Sequence, residues 1–226
     1  MKRMKNYLFV VAHPDDEVLG AGATMYELAK NGNNVYVCCL SCECNTRVDE
    51  LLEGMKKTHE MLNVKKAFVG SYRCLCFKDE PHEEMVQFIE RAIRETEADV
   101  VVTHHPTDLN NDHYITSLIC QEAVRLPQRL IGYDHKIESV LFMEVPSETD
   151  WHLNRAWDSF KADTYQGISN EALEMKVNAL KVYDNVIRAT PHPRSERNLC
   201  VLAALRGSEC GFENAEAFQS IFRIGV

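Results

Sequence analysis

The stretch "YLFVVAHPDDEVLGAGATMYELAKNG" (Tyr7 to Gly32) decides how the chain is to be read. Its first six residues are apolar, with the aromatic and β-branched side chains that suit a short buried strand. From Asp16 the spacing changes. Leu19, Ala23, Tyr26 and Leu28 fall near one helical face, and Asn31-Gly32 supplies the stop. Between strand and helix stand a histidine, a proline and three consecutive acids. Like charges repel, so carboxylates at a strand end must be solvated or paired. A surface loop could hold them as a solvated patch; a bound cation would hold them by neutralising charge.

The same alternation continues outward. Strand-like runs at 34–41, 66–71, 99–105 and 139–145 alternate with helical stretches at 49–62, 83–96 and 113–125. Strand–helix alternation predicts βαβ units and a mostly parallel sheet with helices on both faces, an α/β fold. After Pro146 the pattern shifts. A long amphipathic helix is expected over 170–187, then a loop at 189–197, a last helix over 196–207, and "NAEAFQSIFRI" (214–224) as the closing segment. The whole of 1–226 reads as one domain, with a helical tail from about 169 to 226 packed on it.

The net charge of −9 argues against nucleic acid as a partner. No apolar stretch is long enough to span a membrane. The basic start and apolar run imitate a signal peptide only until Ala12, where charge begins, so a cytoplasmic protein is expected. The nine cysteines are an odd number in a chain too large for a disulfide scaffold. Cys42-x-Cys44 and Cys74-x-Cys76 lack the two-residue gap common in structural zinc sites, so buried or reduced thiols are the better reading.

Ligands of open parallel sheets bind beyond the carboxyl ends of the strands. His13, Asp15 and Asp16 follow the first strand there; His104, His105, Asp108, Asp112 and His113 follow the valine-rich strand at 99–105. Each residue has an ordinary explanation alone: a hydrogen-bonded loop histidine, acids at a helix start, Asp112 as an N-cap. Those explanations leave the shared rim unaccounted for. A catalytic zinc takes three protein ligands and keeps one position open. His13 and Asp16, three apart across a turn, can converge on one ion, and His113 can supply the third ligand. Asp15 then lies beside a ligand without being one, placed to act as general base on a metal-activated water.

"AHPDDE" (Ala12 to Glu17) and, about a hundred residues later, "NDHYIT" (Asn111 to Thr116) resemble the PIG-L/LmbE-like zinc-dependent deacetylases of N-acetylglucosamine-type sugars. The resemblance extends to "PHPRS" (Pro191 to Ser195) and "NAEAF" (Asn214 to Phe218). It implies a Rossmann-like fold and hydrolysis of an N-acetyl amino sugar, free or linked to a nucleotide or lipid. It makes His13, Asp16 and His113 the metal ligands and Asp15 the base, as the residues themselves suggest. The metal would be Zn2+, although an N/O donor set also suits Fe2+. Arg47 matches a substrate-contacting position of the family; a solvated loop arginine explains it equally well.

Asn110 departs from the family, many of whose members carry a histidine there. An asparagine can donate to an oxyanion but cannot shuttle a proton. A substitute catalytic residue is sought in His192, set between two prolines that stiffen its loop, with Arg194 beside it suited to a substrate anion. Otherwise Asp15 serves as base and then as acid. The competing readings are an amidase for another N-acyl compound of secondary metabolism, and a non-catalytic sugar- or metal-binding protein. A homo-oligomer is compatible with all of them.

Overall fold

The computed structural model describes residues 3–42, 48–126, 131–152 and 159–225. Seven strands form one sheet: β1 (Asn6–Val11), β2 (Asn34–Cys39), β3 (Lys66–Val69), β4 (Val100–His104), β5 (Ser139–Met143), β6 (Thr164–Ile168) and β7 (Asn214–Arg223). Their spatial order is β3-β2-β1-β4-β5-β7-β6. The first five strands run parallel; β7 lies antiparallel between β5 and β6. The fold is therefore α/β and Rossmann-like, with a mostly parallel sheet.

Period-two alternation places the helices on both faces. On β1, Phe9 and Val11 point to one core, shared with α1 (Asp16–Lys30), α2 (Val48–Met61) and α5 (Asn170–Leu180). Leu8, Val10 and Ala12 point to the other, which takes in α3 (His82–Thr96) and α4 (Asn111–Ala123). β2 divides the same way, sending Cys39 to the first core and Cys38 to the second. These cysteines, with Cys42 and Cys120, are packed as small hydrophobes, and burial pushes the Cys120 thiol up to about 12.

The carboxyl-terminal part differs from its sequence reading. The helix expected over 170–187 ends at Leu180, and the turn that follows passes through Asn185 at φ 62. A last helix, α6, does form, over Glu196–Cys210. The closing segment is not helical: it is β7, and its partner β6 carried no expectation of a strand. Ala and Glu give "NAEAF" helical propensity, but the paired and buried position of Asn214 to Phe218 between β5 and β6 outweighs it. α6 packs so close to the start of β7 that a Cβ on Gly207 would meet the Glu213 carbonyl oxygen at 2.7 Å.

Candidate metal centre and active site

The order β3-β2-β1-β4-β5 reverses direction between β1 and β4, and that switch point opens a crevice at their carboxyl ends. The loop after β1 delivers His13, Asp15 and Asp16. The loop after β4 and the start of α4 deliver Asp108, Asp112 and His113. Backbone and side chain tie the loops together, since the Ala12 N–H donates to His104 Nε2 at 3.0 Å.

Asp16 is the hub. Its Oδ2 lies 3.4 Å from His13 Nδ1, 3.2 Å from His113 Nε2 and 3.4 Å from His104 Nε2. The His13 backbone N–H also donates to it, at 2.9 Å. One ligand atom each from His13, Asp16 and His113 falls within 4.8 Å of the others. Burial works against the charge on Asp16, but His113 and His104 outweigh it and hold the carboxyl well below the usual range. For His113, burial disfavours the cation, yet Asp16 and Asp108 lift it to about 9. The carboxylates thus favour positive charge between them, where a divalent ion would bind with the imidazole nitrogens as donors.

Each imidazole is held from behind by its own carboxylate. His113 Nδ1 lies 3.0 Å from Asp108 Oδ2, and His13 Nε2 lies 3.0 Å from Asp112 Oδ2. Such partners fix ring orientation and tautomer in metal sites, so the residues present fit a metal. The carboxylates are themselves anchored. Asp108 accepts from the Thr149 hydroxyl at 2.7 Å, and Asp112 from the backbone N–H groups of Leu75 and Phe77. The N-cap of α4 is Asn110, whose side-chain oxygen accepts from the Asp112 N–H at 2.9 Å, so Asp112 is released for His13. His104 stacks on the His113 ring at 3.8 Å. His105, buried, lies 2.7 Å from the Thr107 hydroxyl.

Asp15 sits at the N-cap of α1 with φ 95, a left-handed conformation unusual for any residue but glycine. It makes no side-chain cap bond. Burial, then the neighbouring charge of Asp16, pushes its carboxyl well above the ordinary range, while Arg194 and His13 pull against them. Adjacent acids are thereby driven in opposite directions.

The tail loop reaches the same rim. Arg194 donates to Ser147 Oγ at 2.7 Å and to Glu148 Oε1 at 2.9 Å, clasping the loop after β5. The Arg194 N–H donates to His192 Nδ1 at 3.1 Å, and the His192 ring lies edge-on to Trp151 at 5.0 Å. Burial, followed by Arg194 and Arg188, holds His192 below the ordinary histidine range. Arg47 lies outside the described residues. The backing roles of Asp108 and Asp112, and the Arg194–Glu148 clasp, carry no sequence signal beyond their nearness to His113 and to the rim.

The chain is 26% identical over 191 residues to the uncharacterised deacetylase YaiS of Escherichia coli K12, spanning 79% of this chain and 90% of that one. Its fold matches that of the conserved protein TT1542 from Thermus thermophilus, with a TM-score of 0.79 and 19% identity, over 99% of this chain and 97% of that chain. It also matches N,N'-diacetylchitobiose deacetylase from Pyrococcus horikoshii, with a TM-score of 0.77 and 19% identity, over 97% and 85% of the respective chains. The family profile described as PIG-L, GlcNAc-PI de-N-acetylase, matches residues 8–124, a span that contains both loops of the candidate site. The chain belongs to the PIG-L family.

Proposed function

We propose that the protein is a metal-dependent hydrolase that removes an N-acetyl group from an amino-sugar substrate. The carrying observation is the convergence of His13, Asp16 and His113, with each imidazole braced by a separate carboxylate at 3.0 Å. Family membership supports the amide hydrolysis, and the names of YaiS and the diacetylchitobiose deacetylase, both deacetylases, point the same way. The two histidines and Asp16 would hold the ion, zinc by its preference for such a donor set, with iron(II) able to take it as well. Once bound, the ion would polarise the acetyl carbonyl and acidify a water.

The chain's own residues do the rest. Asp15 accepts the proton of the attacking water; a raised carboxyl beside a charged one suits that task near neutral pH. As the amide C–N bond breaks and acetate forms, Asp15 returns the proton to the leaving amine. His192 is held neutral, and its Nδ1 accepts from Arg194, so Nε2 carries the hydrogen. It therefore suits donation to the substrate better than proton delivery. Asn110 uses its oxygen to cap α4, which turns its amide N–H2 to the role of donor. Arg194 steadies the rim through Glu148 and brings positive charge toward Asp15. Arg47 is assigned to substrate contact through the family motif alone. Among the described residues no helix is long and apolar enough to cross a membrane.

The test is acetate release from N-acetylglucosamine, its nucleotide-linked forms and other N-acyl amines, with and without chelator. Chelator-sensitive acetate from an amino sugar is expected. Metal-loaded protein that releases acetate from none of them would refute the reading, and release only from non-sugar amides would move it to another N-acyl class.

A further inference from the structure

The loop after β3 brings a thiol to the back of the metal centre. Arg73 to Cys76 form a tight turn, closed by the Cys76 N–H donating to the Arg73 carbonyl at 3.1 Å. Leu75 takes φ 61 within it, a left-handed conformation that a leucine rarely adopts. That conformation has two consequences. The Leu75 N–H donates to Asp112 Oδ2, and Cys74 is laid alongside the His13–Asp112 pair. Cys74 Sγ, a His13 ring nitrogen and an Asp112 carboxylate oxygen all lie within 4.8 Å of one another.

We infer that Cys74, His13 and Asp112 form a second divalent-metal site that abuts the first, shares His13 with it, and inhibits the enzyme when filled. This rests on the proposed metal-dependent function. The donor set is one thiolate, one imidazole and one carboxylate, which zinc and other thiophilic ions favour. The ligand atoms sit on three segments that already touch, the loops after β1 and β3 and the start of α4, so little rearrangement is needed. His13 Nδ1 faces Asp16 while Nε2 faces Asp112, so the two sites draw on opposite nitrogens of one ring. Binding displaces the thiol proton of Cys74 and the proton held between His13 and Asp112, both to solvent, with no change of oxidation state. The cost to catalysis follows directly. A metal on Nε2 abolishes the bond to Asp112 that orients the ring, and His13 is no longer a well-placed neutral ligand for the first ion.

The experiment is a cobalt(II) titration of the metal-stripped full chain, read by thiolate-to-cobalt charge-transfer absorption in the near ultraviolet, alongside acetate release in rising zinc. The wild type should bind a first equivalent without the thiolate band and a second with it. Cys74→Ser should keep the first equivalent and lose the band. His113→Ala, deprived of the first site, should show the band at once. Zinc above one equivalent should inhibit the wild type, and Cys74→Ser should need about tenfold more or beyond. A thiolate band that is absent from the wild type, or unchanged in Cys74→Ser, would overturn the inference. Loss of the thiolate-free first equivalent would instead count against the proposed catalytic site, because the band by itself decides the second.

Discussion

His113 Nδ1 stands 3.0 Å from Asp108 Oδ2, and Asp108 in turn accepts from Thr149, so one ring's direction is set by a chain that runs from the start of α4 through the loop after β4 to the loop after β5. Asp108→Asn should keep the fold but weaken metal binding by about 10- to 100-fold. Activity in that variant should recover as metal is added. Metal affinity measured by competition with a chromophoric chelator checks this, and an unchanged affinity would reduce Asp108 to a packing role.

On the proposed mechanism Asp15 carries the proton and is not one of the metal ligands. Asp15→Asn should retain full metal and thermal stability, yet lose about two to four orders of magnitude in rate. Metal content and turnover measured on the same sample make the comparison. Near wild-type turnover would leave Asp15 as a helix-end charge only.

His192 is a neutral donor on this account, because burial and two arginines hold it below the ordinary histidine range. A group with a lowered value is already deprotonated at neutral pH, and raising pH further leaves its charge unchanged. His192→Ala should therefore lower the rate by about 100-fold, the worth of one oxyanion donor, while the alkaline limb of the pH–rate profile stays in place. Disappearance of that limb would restore His192 as the acid.

The buried pair Lys176–Glu216, 2.6 Å apart, fastens β7 to α5. α1 breaks its helical path at Ala21, and Glu216 accepts from the N–H groups of Ala23 and Thr24 beyond the break. Lys176→Met would leave that carboxylate buried without its cation. A loss of about 3–5 kcal/mol is expected, readable in chemical denaturation, with metal affinity unchanged. A loss under about 1 kcal/mol would mean that the backbone donors alone satisfy Glu216.

Most of the fold was legible because the first two-thirds of the chain keep one simple period. The runs around Phe9, Val37 and Val102 are strands that send alternate side chains to two cores, and the intervening helices have a stripe for each. The site was legible for a related reason: His13, Asp16 and His113 follow strands whose carboxyl ends share a rim. What stayed hidden depends on partners distant in sequence. β7 is a strand because β5 and β6 flank it, against the propensity of Ala215, Glu216 and Ala217. Asp112 looked like an N-cap, but Asn110 takes the cap and frees Asp112 for His13. The placement of Cys74 follows from the left-handed turn at Leu75, which no neighbouring glycine announces.

The most direct test of the metal-centred account couples metal content to acetate release in one set of proteins. Proteins with wild-type, His13→Ala, Asp16→Ala and His113→Ala ligand sets, all carrying Cys74→Ser so that only the first site can fill, would each be stripped, reloaded with one equivalent of zinc, analysed for bound metal, and assayed on N-acetylglucosamine or the best amino-sugar substrate found. The account predicts one ion and chelator-sensitive acetate release with the wild-type ligand set, and joint loss of metal and activity in all three variants. Full metal occupancy in all three variants, or acetate release that survives removal of the metal, would contradict it.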